Sequence, residues 1–195
     1  MILALPGRLN LDLRRGQAAF TLVELLVVIA IVGTLAGLLI PVLARAKETS
    51  RATACLSNLH QIGVALRLYT EDNQNRLPYM RDKLYGTNVP PTNSVPLPSV
   101  DLVLSNQLGA AKVLRCPSDR AGIYEQSASS YAWNSLLNGQ DADDMVVMNL
   151  AYNPHQIPVF YDKEAFHRGR GEGKEMNFLY ADGHIKNLLE VGGPK

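Results

Sequence analysis

Hydrophobic and polar positions divide this chain into three stretches of different rhythm. From Leu25 to Ala44, twenty consecutive residues carry no charge, and Thr34 is the only polar side chain among them. As a helix rising 1.5 Å per residue, that run covers roughly 30 Å, the thickness of a bilayer's hydrocarbon core. It is apolar all round, unlike a helix resting one face on a small domain. Beyond it, Leu56, Leu59, Gly63, Leu66 and Thr70 recur every three or four residues, with Ile62 and Tyr69 flanking. Arg45, Lys47, Glu48, Arg51 and Arg67 supply a polar side, so this stretch is an amphipathic helix. The two stretches predict one helix from about Phe20 to Glu71, ended by Asp72-Asn73-Gln74-Asn75. No compact domain of this size holds such a helix entirely inside.

The remainder has a shorter rhythm. Pro78, Pro90, Pro91, Pro96 and Pro98 mark an irregular loop. Ser99 is expected to cap a short helix to about Leu108, with Asp101 in its first turn. Cys116 to Asp119 reads as a turn, and Ser130–Asn134 and Gln156–Tyr161 as strands. Pro158 points to an edge or a bulge in the second strand. Asp182-Gly183, between Glu175–Tyr180 and His184–Leu189, is a strong hairpin signal. The fold class is therefore α+β: a long N-terminal helix, half transmembrane and half amphipathic stem, packed against a small, mostly antiparallel C-terminal sheet.

Charge narrows the function classes. The 195 residues carry a net charge of +1. Arg8, Arg14 and Arg15 against Asp12 give the first nineteen residues +2, so the rest is slightly acidic. No basic stripe for nucleic acid is present, and none is expected as a partner. Basic residues stand on both sides of the apolar run, so the positive-inside rule does not orient it; the large domain that follows favours an N-in arrangement. Two cysteines make no disulfide framework, and no CxxC pair suggests zinc. Gly-x-Ser-x-Gly, His-Glu-x-x-His and P-loop motifs are absent. His155, His167 and His184, with Asp162 or Asp182, are the nearest approach to a catalytic group. They read as surface residues of strands and loops, as His60 does on the stem, and no enzyme is expected.

Glu24 stands at the head of the apolar run, where a charge near lipid costs a few kcal/mol. It therefore needs a partner. One reading of the N-terminus is a secretory signal peptide cut after Ala44-Arg45-Ala46, leaving a mature protein from Lys47. The apolar run is longer than such a core, and Glu24 is out of place in it. The other reading is a cut before the run.

The segment from Arg14 to Glu24 resembles the leader junction of type IV pilins and type II secretion pseudopilins. The resemblance implies a leader over 1–19, a transmembrane or filament-core helix over 20–44, a stem over 45–76 and an extracytoplasmic head over 77–195. A prepilin peptidase would cut between Ala19 and Phe20 and N-methylate Phe20; Ala19 stands where the family usually has Gly, and Gly16 is a second position for the cut. Glu24 lies one helical turn from Phe20, so its carboxylate would pair with the new ammonium, within a subunit or between neighbours. Pro41 falls where pilins often carry a helix-breaking proline. The implied setting is the inner membrane, single-pass, with self-assembly into a type II secretion pseudopilus or type IV pilus-like filament. An assembly platform and ATPase are the implied partners.

The resemblance extends along the stem to Pro78 and to the Asp182-Gly183 ending, whose motif is named for a histidine nine residues earlier. Here fourteen residues separate His167 from Asp182. On this reading Cys55 and Cys116 leave the reducing cytoplasm. They either form a disulfide, worth about 4 kcal/mol for a loop of about 60 residues, or remain two buried thiols. Asp141, Asp143 and Asp144 offer oxygens suited to calcium, which some major pseudopilins bind in the head. The segment lacks the Gly and terminal Glu of an EF-hand loop, and a solvated acidic loop is the alternative. The rival to the whole reading is a membrane-tethered or secreted extracytoplasmic binding domain with no filament role.

Overall fold

The computed structural model describes residues 20–82, 97–147 and 150–189. Ala19, Pro90, Pro91 and Pro96 lie outside the described residues. The chain falls into two compact units, Met1–Val42 and Leu43–Lys195. Helix α1 (Leu22–Asp72) begins in the first and ends in the second.

In the first unit every described residue is exposed. Proline has no N–H to donate, so α1 runs through Pro41 with one backbone bond missing. A side-chain carbon added at Gly33 or Gly37 meets no atom within 4 Å.

In the second unit α1 buries Ala52, Cys55, Leu59, Ile62, Ala65, Leu66 and Thr70. The face expected from leucine spacing is rotated. Ile62, expected at the flank, is at its centre, while Leu56 and Gly63 are half-buried at the seam. Ala52 and Ala65 are buried on this face as well, a feature leucine counting does not register. At Gly63 an added side-chain carbon would sit 3.2 Å from Leu179 Cδ1, closer than ordinary contact, so the leucine would have to shift to admit it. After Asp72 the chain turns through Gln74 and Asn75, both at positive φ, and the Asn75 N–H donates to the Thr70 carbonyl at 2.8 Å.

Among the described residues six strands follow: β1 (Tyr131–Trp133), β2 (Met145–Val147), β3 (Leu150–Tyr152), β4 (Pro158–Asp162), β5 (Phe178–Tyr180) and β6 (Ile185–Lys186). Four form an antiparallel sheet in the order β1-β4-β5-β6. Pro158 opens an inner strand, and the β4–β5 register shifts between Pro158 and Phe160. The proline therefore marks a bulge, which spares the ladder the N–H it lacks. Gly183, at φ +90°, completes the Asp-Gly turn between β5 and β6. The β2–β3 hairpin was not expected from the sequence; it follows the acidic loop and stands apart from the main sheet.

The helix expected to reach Leu108 is a single turn, α2 (Val100–Val103). Ser99 makes no capping bond, because its hydroxyl is spent on the Asp101 carboxylate. A better-capped turn is α3 (Ile123–Ser127), where Asp119 accepts from the N–H groups of Ile123 and Tyr124 at 3.1 and 2.9 Å. The core gathers Leu59, Ile62 and Leu66 of the stem with Tyr131, Trp133, Phe160 and Leu179 of the sheet. Trp133 and Phe160 meet at 5.1 Å between ring centroids, tilted by 54°.

Candidate functional site

Three groups of residues carry chemistry. The first is the start of α1. Thr21 precedes the helix, and its N–H and hydroxyl both donate to Glu24 Oε2 at 2.8 Å. The Glu24 N–H donates back to Thr21 Oγ1 at 3.2 Å. This is a reciprocal cap of the Thr-x-x-Glu type, which satisfies amide groups that a helix start leaves open and puts a carboxylate at the positive end of the dipole. The Thr-x-x-Glu spacing is a local signal in the sequence, beside the Phe20 pairing that the leader resemblance implies. Phe20 is exposed, and in the uncut chain its nitrogen is an amide rather than an ammonium. Thr34, the other polar side chain of the apolar stretch, donates to the Ile31 carbonyl at 2.8 Å. Both polar side chains are thus satisfied within about one turn of their own chain.

The second group joins stem to head within the second unit. Cys55 and Cys116 form a disulfide across 61 positions, with Cα atoms 5.0 Å apart. Polar contacts surround it. Asn58 Nδ2 donates to the Arg115 carbonyl at 2.8 Å, and the Tyr131 hydroxyl donates to the Cys55 carbonyl at 3.3 Å. Burial pushes the Tyr131 phenol well above its ordinary range. The Cys116 N–H donates to Ser130 Oγ, which donates in turn to Asp119. Further up the stem, Glu48 accepts from Ser118 and Arg120, each at 3.0 Å.

His167 belongs to this group, which corrects its reading as a surface residue. Its side chain is fully buried, with Nε2 3.5 Å from Asp162 Oδ2. Asp162, equally buried, accepts at Oδ2 from the Asn177 N–H at 2.7 Å and from Asn177 Nδ2 at 2.8 Å. Arg170 donates to Asn177 Oδ1 at 2.7 Å. Nothing local in the sequence signals the cluster, because its members come from β4, the loop after it and the approach to β5. The other histidines do not converge with it. His155 is exposed, and half-buried His184 lies against Asp182, with Nδ1 2.5 Å from Oδ1, stacked on Tyr180 at 4.3 Å. His60 is exposed on the stem.

The third group is the acidic loop. Asn75 Nδ2 donates to Asp141 Oδ1 at 2.8 Å and to Asp143 Oδ2 at 3.0 Å. The loop is tied to the end of the stem through an amide, and Asp144 is exposed beside it.

Comparison with known proteins bears on the first group. Residues 14–40 match the family model of the prokaryotic N-terminal methylation motif. The type II secretion system core protein G of Pseudomonas aeruginosa is 37% identical over 60 residues, which are 31% of this chain and 42% of that protein. Its namesake from Aeromonas hydrophila is 42% identical over 65 residues, 33% of this chain and 45% of that protein. The chain thus spans less than half the length of these curated relatives. No solved structure matches it.

Proposed function

We propose that this chain, whose N-terminal segment is of the type IV pilin-like, pseudopilin kind, is a structural subunit of a type II secretion pseudopilus or a type IV pilus-like filament. The observation that carries the reading is the methylation motif at the head of a helix long and apolar enough, by length and composition, to cross a membrane. Cleavage between Ala19 and Phe20 releases an ammonium one turn from Glu24. The reciprocal cap with Thr21 then holds the carboxylate ready and satisfied until a neighbour's terminus competes for it. A prepilin peptidase, an assembly platform and an ATPase are the partners this requires. The protein waits in the inner membrane as a single-pass subunit, head outside the cytoplasm, and has no catalytic duty of its own.

Mass and N-terminal sequence of the mature protein test the reading. N-methylated Phe20 supports it. An unprocessed Met1 favours a membrane-tethered domain, and a start at Lys47 a secreted one. Ala19→Trp should block maturation, because the peptidase needs a small residue before the cut. Glu24→Ala should leave insertion and processing intact while filaments fail to form. Normal assembly of that variant would remove the pairing role from Glu24.

A further inference from the structure

The disulfide and His167 raise a question that stapling alone does not answer. Cys55 Sγ, Cys116 Sγ and one His167 ring nitrogen lie within 4.8 Å of one another, and all three residues are buried. Neither ring nitrogen of His167 has a hydrogen-bond partner, and Asp162 Oδ1 is likewise buried and unpartnered. Buried polar atoms are nearly always satisfied, so orphans clustered at one place indicate an unfilled role. A disulfide sulfur is a poor acceptor and leaves the imidazole unanswered. Two thiolates and an imidazole at this separation are instead a zinc donor set.

We propose that the reduced protein binds Zn2+ through Cys55, Cys116 and His167, and that metal and disulfide are alternative clamps at the same stem-to-head junction. Asp162 Oδ2 lies 3.5 Å from Nε2, so with Nδ1 on the metal a carboxylate would stand behind the imidazole. Ligating histidines characteristically donate their second N–H to such a carboxylate, which fixes the tautomer. Asn177 and Arg170 orient Asp162 in turn. One water enclosed with the metal would complete the tetrahedron.

The chemistry balances. The chain is synthesised with two thiols, and Zn2+ displaces a proton from each. Oxidation by a disulfide of the thiol-exchange class takes two electrons from the two thiolates and forms the Cys55–Cys116 bond. The oxidant's sulfur–sulfur bond breaks, takes up two protons and leaves as two thiols, and Zn2+ is released.

The test uses the full chain in detergent micelles, with Co2+ as the spectroscopic probe and Zn2+ retention measured by elemental analysis. A phosphine reduces the disulfide and becomes the phosphine oxide, with water supplying the oxygen and two protons. The reduced protein should bind one equivalent, with thiolate-to-cobalt charge transfer and the visible bands of tetrahedral Co2+; the oxidised protein should bind none. Asp162→Asn should weaken binding about 10–100-fold. His167→Ala should lose the tetrahedral spectrum, and its oxidised form, held by the disulfide, reports by near-ultraviolet circular dichroism whether the head still folds. His167→Cys, which supplies a thiolate in place of the imidazole, should restore binding. The proposal is overturned if the reduced protein retains no stoichiometric metal, if His167→Ala binds as well as the parent, if His167→Cys fails to restore binding, or if the oxidised protein binds equally.

Discussion

One helix contains two opposite solutions to hydrophobicity. Between Leu25 and Leu43, α1 is apolar on every side and exposed on every side. Between Ala52 and Thr70 it is apolar on one side, and that side is closed against the sheet. Secondary structure is identical in the two stretches, so it does not decide what becomes of an apolar side chain. The distribution around the helix decides. A stripe can be buried by one small sheet, whereas a uniformly apolar cylinder needs surroundings on all sides, which only lipid or other copies of such a helix supply.

Substitutions can break or sharpen this contrast. The largest effect is expected from replacing Cys55 and Cys116 together by serine. Opening a 61-position span should cost the second unit about 4 kcal/mol, read as the denaturant midpoint in metal-free buffer. A loss far below that would mean that packing alone holds stem to head. Next, Leu59→Ala should cost about 3 kcal/mol, since the side chain is fully enclosed and leaves a cavity. The same change at Leu38, 73% exposed, should move the midpoint by under about 0.5 kcal/mol. If Leu38→Ala destabilised the second unit as much as Leu59→Ala, the two stretches would not be energetically distinct.

A smaller effect is expected at Tyr131. Burial raises its phenol above the ordinary value of about 10, so the fold favours the neutral form. That stability is fully present below about pH 10 and is lost as the pH rises further, because the unfolded chain ionises first. Tyr131→Phe should cost about 1 kcal/mol at neutral pH through the lost bond to Cys55 and flatten part of the alkaline decline. Tyr161, raised by burial and then by the nearby Asp82 charge, should keep the rest of that decline. An alkaline profile identical to the parent's would show that Tyr131 ionises freely in the fold.

The long helix was legible because its signals are local: an uncharged run, then a repeat of three and four, then Asp-Asn-Gln-Asn. The Asp182-Gly183 turn was legible for the same reason. Leucine spacing placed the buried face of the stem slightly wrong, because Ala52, Cys55 and Ala65 are buried for their small size, which hydrophobic counting undervalues. The β2–β3 hairpin was missed where strands of three residues follow an acidic loop. Ser99 misled because the side chain suited to capping took a carboxylate two residues away instead.

The sequence by itself determined the N-terminal segment, from the motif to the twenty uncharged residues, because each is a pattern within a few helical turns. It also left two states open for Cys55 and Cys116, and the tertiary structure has the disulfide. Only the tertiary structure decided what surrounds that bond. His167, Asp162 and Asn177 are up to 15 positions apart in the chain and more than a hundred from Cys55. They meet because the sheet folds onto the stem, and no local spacing records a contact made across the core.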